Sequence, residues 1–344
     1  MSFSVGIVGL PNVGKSTLFK ALTKIPVDIA AYPFTTIHPN VGVVTVPDER
    51  LEKVAQVIRP EKITPTVIEF IDIAGLVKGA HKGEGLGNQF LAHIRNCDAI
   101  VEVIRGFEDL NVEHVAGPID PERDIEIVKV ELLMKDLETL EGLIAKIEKD
   151  VKAKDKKAVK KVELLKRIKD WVSQGKLISE INLTDEEKPE IKEYQFLTQK
   201  PILYLLNTND SRCLNSGVKH LGMNLKDEVE ISELSQQEAS EIGFKSQLDQ
   251  LILECYNALS LITFYTITGG KETRAWTLKN GLKALDAGGV VHTDFKEKFI
   301  RAEVISWQKL IEAGLLVKAR ELGWLKTVGH DYFVQDGDII EFKI

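Results

Sequence analysis

The chain has 344 residues, of which 44% are hydrophobic and 28% charged, with a formal net charge of −7. That length exceeds one ordinary core and predicts two or three domains, and no apolar run reaches the roughly 18–20 residues of a membrane span. The acidic balance excludes a chain that coats nucleic acid along its whole surface, although a local basic face is compatible with it.

Cys97, Cys213 and Cys255 are odd in number and far apart, so neither a disulfide framework nor a zinc site is indicated. The seven histidines show no paired ligand spacing. The opening "MSFSVGIVGL" enters a strand pattern at once and leaves no room for a cleaved signal. The expectation is a cytoplasmic protein without a membrane partner.

Strand-like runs come first: "FSVGIVG" (3–9), "VGVVTV" (41–46), "TVIEFID" (66–72) and "DAIVEVIR" (98–105). "PILYLLN" (201–207) resumes the series, and "EVEIS" (228–232) reads as a further strand. Amphipathic segments such as "KSTLFKALTK" and "GNQFLAHIRN" lie between them, and alternating strands and helices predict an α/β sheet with helices on both faces.

Residues 124–198 break the pattern. Ile127, Val130, Met134, Leu137, Leu140, Ile144, Ile147 and Val151 follow three- and four-residue steps, and Val159, Val162, Leu165 and Val172 mark a second helix. Thr184 to Glu187 has the form of a capping box opening a third. The expectation is a helical insertion, an antiparallel coiled-coil hairpin, with an ordinary helical layer of the sheet domain as the alternative. Its stretch 149–169 holds ten Lys or Arg against three acids (Asp150, Asp155, Glu163), a net of +7. From about residue 263 a small strand-rich domain is predicted, ending in a hairpin about Asp336-Gly337.

Gly9 to Ser16, "GLPNVGKS", satisfies G-x-x-x-x-G-K-[ST] after a strand and before a helix. Such a loop turns its N–H groups onto phosphates, Lys15 adds charge at the β- and γ-phosphates, and Ser16 offers a hydroxyl to Mg2+. Asn12, Val13, Gly14, Lys15, Ser16 and Thr17 are therefore nucleotide-binding candidates. "VIEFID" ends in Asp72 as a Walker B strand does, which predicts a magnesium contact through water and a γ-phosphate contact at Gly75. Thr35 and Thr36 in "YPFTT" are the candidates to complete the magnesium shell, with Thr36 preferred. Leu76 stands where Ras-like GTPases carry the glutamine that positions water.

At these residues the chain resembles the YchF family, a branch of the Obg-related translation-factor GTPases. The likeness is carried by "GIVGLPNVGKSTLFKALTK", "YPFTTIHPNVGVVTVPDERL", "DIAGLVKGAHKGEGLGNQFLAHIRNCDAI" and "NVEHVAGPIDPERDI". In the tail, "RAWTLKNG", "VVHTDFKEKFIRAEVIS" and "DYFVQDGDIIEFKI" are similar to the family's TGS domain, a ubiquitin-like β-grasp module. The resemblance implies a Ras-like P-loop G domain (1–123 and 199–262), the insertion (124–198) and a TGS domain (263–344). It further implies Mg2+-dependent hydrolysis of ATP in preference to GTP, association with the ribosome through the basic insertion and TGS domain, most naturally at the large subunit, and no role on DNA. A hydrophobic residue at the glutamine position fits the family, which implies His114 as the substitute for that glutamine. A plain surface-loop histidine is the alternative. Asn12 occupies the position that holds an activating K+ in potassium-assisted relatives.

Base choice is where the pattern departs. The base-reading segment is "NTND", Asn207 to Asp210. YchF proteins usually end it in glutamate, whereas guanine-reading GTPases end it in aspartate, so Asp210 keeps a GTP-specific enzyme open. Ser232 in "EISEL" is a further base-side candidate, and a nucleotide-sensing adaptor with negligible turnover is the remaining alternative.

Overall fold

The computed structural model describes residues 3–24, 40–73, 86–109, 111–150, 156–210, 214, 217–234, 238 and 246–344. The chain begins with β1 (Ser4–Val8), α1 (Lys15–Thr23), β2 (Val41–Thr45), α2 (Glu49–Ile58), β3 (Lys62–Thr64), β4 (Val67–Asp72), α3 (Leu86–Asn96) and β5 (Ala99–Arg105). Then follow α4 (Pro121–Asp150), α5 (Lys156–Ser173), α6 (Glu187–Lys192), β6 (Ile202–Asn207), β7 (His220–Met223), α7 (Leu225–Ser232) and α8 (Leu248–Ala258).

Six strands form the first sheet in the order β2-β4-β1-β5-β6-β7, parallel throughout except where β2 pairs with β4. Every residue of β1 and β5 is buried, as expected of central parallel strands covered on both faces. Leu18 and Leu22 of α1, Leu91 and Ile94 of α3, Leu132 of α4 and Leu251, Ile252 and Cys255 of α8 pack into this core.

The segment "EVEIS", expected as a strand, is the second half of α7. Its β-branched residues are overruled by the preceding Asn224, whose side-chain oxygen accepts the N–H groups of Lys226 and Asp227 and caps a helix there. The last strand of the sheet is β7, four residues upstream of that segment and absent from the sequence-based reading.

Helices α4 and α5 pack against each other around a second core that includes Leu140, Ile144, Leu165, Ile168 and Val172, which Ile191 and Phe196 close from the returning chain. The stripe expected on α4 is rotated in part: Leu132 and Leu133 point inward, while Val130 and Met134 are 43% and 40% exposed. Val159 of α5 is exposed as well. The Thr184–Glu187 box forms as expected, with Glu187 N–H donating to Thr184 Oγ1 (3.3 Å) and Thr184 N–H to Glu187 Oε2 (3.0 Å). Helix α4 begins at Pro121, three residues before the boundary expected at 124. Asp136 clamps the far end of this region: it is fully buried and accepts from Leu197 N, Thr198 N and Thr198 Oγ1 at 2.7–2.9 Å.

The C-terminal part comprises β8 (Leu261–Thr268), β9 (Glu272–Lys279), α9 (Ala284–Val291), α10 (Thr293–Glu297), β10 (Arg301–Ser306), α11 (Trp307–Ala313), α12 (Leu316–Glu321), β11 (Lys326–Val328) and β12 (Asp338–Lys343). Its sheet runs β11-β10-β12-β8-β9-β3. The sixth strand, β3, comes from the first part of the chain and pairs in parallel with β9, Lys62 opposite Glu272. Leu51 and Val54 of α2 pack with Tyr265, Ile305 and Leu310 in the same core. Residues 49–64 therefore build the C-terminal core, although they lie between two strands of the nucleotide sheet.

The expected closing hairpin does not form. Asp336-Gly337 ends a turn rather than joining two strands, and β12 pairs antiparallel with β10 and parallel with β8. Gly337 has φ 86, and a Cβ there would lie 2.4 Å from Trp307 Cδ1, so a glycine turn against the indole takes the place of a hairpin loop.

Candidate functional site

The loop Gly9–Gly14 leaves the C-terminal end of β1 and enters α1 through Gly14, whose φ of 108 an L side chain rarely adopts. A Cβ at that position would come within 2.5 Å of Asn207 Nδ2. That amide nitrogen donates to Val13 O (3.0 Å), and Asn207 Oδ1 accepts the Leu225 N–H (3.2 Å). One buried asparagine at the end of β6 thus fixes the loop to the start of α7.

Lys15 is 8% exposed and donates through Nζ to Leu10 O (2.7 Å). Burial pushes its pKa down to about 8, opposed by the nearby Asp72 carboxylate. Ser16 Oγ donates to Asp72 Oδ2 (3.1 Å), which joins the first turn of α1 to the end of β4. A hydroxyl and a carboxylate side by side are hard oxygen donors of the kind Mg2+ prefers, so these two residues fit the cation that the motif implies.

Thr17 and Ser16 line one wall of a cleft of about 470 Å³, with Lys226, Val229 and Glu230 of α7 opposite. Lys20 and Lys24 pair with Glu233 and draw α1 and the end of α7 together. The hydroxyl of Ser232, the further base-side candidate, donates to Val229 O (2.7 Å) inside its own helix. The residue that meets Asn207 there is Leu225, which sequence reasoning did not single out. Asp210 is exposed, with Oδ1 accepting from Thr208 Oγ1 (2.9 Å). Thr35, Thr36, Gly75 and Leu76 lie outside the described residues.

Asn12 has φ 65, and its Nδ2 donates to Glu113 O (3.2 Å). His114, which follows Glu113, is thereby held near the P-loop in space, yet its ring faces α4. His114 Nε2 lies 2.7 Å from Asp124 Oδ2, and both side chains are 3% exposed. Ala116 N–H donates to His114 Nδ1 (3.2 Å), so Nε2 carries the proton and donates to Asp124. Burial raises the Asp124 pKa, while His114 and Arg123 oppose that shift. The surface-loop alternative for His114 does not match this geometry.

A parallel sheet with a phosphate-binding loop at the end of its first strand, and a serine–aspartate pair beside it, defines a P-loop nucleoside triphosphatase of the GTPase type. Residues 4–136 match the family model described as 50S ribosome-binding GTPase, and residues 261–344 match the YchF GTPase C-terminal model, described as a protein of unknown function (DUF933). The "Ribosome-binding ATPase YchF" of Bacillus subtilis (strain 168) is 44% identical over 364 residues, covering 100% of this chain and 99% of the relative. The protein of the same description from Escherichia coli O157:H7 is 42% identical, with 99% of each covered. Among solved structures, the YchF GTPase of Schizosaccharomyces pombe superposes with a TM-score of 0.87 at 33% identity, over 99% of this chain and 98% of that one. The chain belongs to the YchF family.

Proposed function

We propose that this protein is a Mg2+-dependent ATPase that acts as a ribosome-associated nucleotide switch and takes ATP in preference to GTP. The observation that carries the hydrolytic part is the pairing of Ser16 with Asp72 at 3.1 Å beside a buried Lys15. A module that only sensed nucleotide would have no need of both magnesium oxygens in place. Ser16 and Asp72, the latter through water, would hold the cation together with Thr36. Bound Mg2+ supplies charge neutralisation on the β- and γ-phosphate oxygens.

The protein's own groups do the rest. Backbone N–H groups of residues 12–17 bind the phosphates, and Lys15 lays its ammonium against them, an attraction that the poor solvation of the loop strengthens. Gly75 offers its N–H to the γ-phosphate. Leu76 cannot orient water by hydrogen bonding, and His114 is the group we assign to that task. A K+ ion at Asn12 would add positive charge on the same side. Ribosome binding, with the large subunit as the partner, is proposed through the insertion and the C-terminal domain. The curated relatives' names support the ribosome and the ATPase activity.

A second reading has one specific observation in its favour. Asp210 ends the base-reading segment with a carboxylate, which can accept both guanine N–H donors. Titration calorimetry of ATP and GTP against the same protein in Mg2+ separates the two. Tighter ATP binding is expected, and GTP binding tenfold tighter than ATP would establish the Asp210 reading instead.

A further inference from the structure

The contact between His114 and Asp124 is more than a loop anchor can account for. Asp124 lies in the first turn of α4, the 30-residue helix that runs out into the insertion. His114 follows Glu113, whose carbonyl is held by Asn12 of the P-loop at 3.2 Å. The histidine therefore stands between the phosphate-binding loop and the insertion, with its only ring proton committed to Asp124 at 2.7 Å. In this position both ring nitrogens are already hydrogen-bonded within the protein, Nε2 to Asp124 and Nδ1 to Ala116 N–H.

The pocket is built around that bond. Arg123 Nη2 reaches Asp124 Oδ1 (3.5 Å) and Pro118 O, which fixes the carboxylate from the other side. Behind it lies the buried carboxyl of Glu102 on β5, whose pKa burial and the neighbouring Asp124 both push upward. Burial opposes the charge of Asp124, which depends on His114 and Arg123 for its stability.

We infer that Asp124 is a positioning residue that holds His114 withdrawn, so that the first turn of α4 sets the resting rate of hydrolysis. This rests on the reading of His114 as the group that acts on the water. The bond must open for His114 to turn toward the phosphates. Any force on the insertion that shifts the first turn of α4 would open it. A charge-assisted bond is roughly twice as strong as a neutral one. Asp124→Asn keeps the shape and an acceptor oxygen but removes the charge, so the released state gains population by about three- to tenfold.

The test is steady-state phosphate release from ATP and Mg2+ by the full chain, with folding checked by circular dichroism. Asp124→Asn is expected to raise kcat about three- to tenfold at nearly unchanged KM. His114→Ala is expected to lower kcat by about tenfold, and the double variant to match His114→Ala alone. A fall or no change in kcat for Asp124→Asn, with His114→Ala impaired, overturns the latch and leaves the histidine's role intact. Unchanged kcat in His114→Ala removes the histidine reading and the latch with it. A measurement on the unmodified protein guards against a variant that fails to fold: 15N spectra of the His114 imidazole with and without the analogue AMPPNP and Mg2+. A change of its Nε2–H signal on nucleotide binding supports the latch, and an Nε2–H still bonded to Asp124 in the complex refutes it.

Discussion

Replacing Asp48 by alanine tests how firmly residues 49–64 belong to the C-terminal core. Asp48 caps α2 by accepting Arg50 N–H (3.0 Å), accepts again from Arg50 Nε (2.8 Å) and Nη2 (3.1 Å), and takes the hydroxyl proton of the buried Tyr265 (2.6 Å). Losing the cap costs about 1 kcal/mol. Leaving the Tyr265 hydroxyl buried without this acceptor costs about 1–3 kcal/mol more. The Arg50 pair adds little, because the guanidinium is a quarter exposed and keeps Asp336 Oδ2 at 2.6 Å. The sum is about 2–4 kcal/mol for Asp48→Ala and roughly half that for Asp48→Asn, which keeps a cap oxygen and an acceptor for Tyr265. Urea unfolding followed by tryptophan emission reports it, since Trp276, Trp307 and Trp324 all lie in the C-terminal part. A midpoint unmoved by Asp48→Ala would refute the view that the aspartate joins the two parts of the chain.

Gly14→Ala must place a Cβ 2.5 Å from Asn207 Nδ2 at φ 108, so nucleotide affinity is expected to fall by about a hundredfold or more with an unchanged circular dichroism spectrum; calorimetry with ATP checks it. Asp136→Asn presents an amide group to three donors at 2.7–2.9 Å and is expected to destabilise the insertion by about 2–4 kcal/mol, measured by thermal unfolding. Ribosome association is expected to weaken steeply between low and moderate salt in a sedimentation assay, and to fail when Lys156, Lys157, Lys160 and Lys161 are all changed to glutamate. The slope will be smaller than the net +7 of residues 149–169 implies, because Lys161, Lys166, Arg167 and Lys169 each face an acid at 2.6–2.9 Å.

The nucleotide site was legible where chemistry is bound to spacing. Gly9, Gly14, Lys15 and Ser16 can serve phosphates only on a strand–loop–helix, and Asp72 can reach Ser16 only from the end of a neighbouring strand, so the pattern carried the geometry with it. The Thr184–Glu187 cap was legible for the same reason, since its two bonds close within four residues. Long-range pairing was not legible. β3 is three residues long, without alternation, and its partner β9 lies more than two hundred residues away, so no local pattern announces that 62–64 completes the second sheet. Around residue 228 the β-branched run pointed to a strand, and one capping asparagine outweighed it. At 336–337 a dipeptide typical of hairpins was used to place the Asp336 carboxylate against Thr263 N–H (2.9 Å). His114 was legible as a residue of interest, but its partner was not, because nothing in the spacing of 114 and 124 shows that the loop folds back onto the first turn of a helix.

Ser16 and Asp72 are proposed to form the magnesium side of a site that hydrolyses ATP. Phosphate release from ATP and from GTP, each with Mg2+ and with EDTA, in the unmodified protein and in Ser16→Ala tests it most directly. The expected result is slow turnover that favours ATP in kcat/KM, vanishes with EDTA and falls at least a hundredfold in Ser16→Ala. Equal turnover with EDTA, or a Ser16→Ala protein as active as the original, would contradict it.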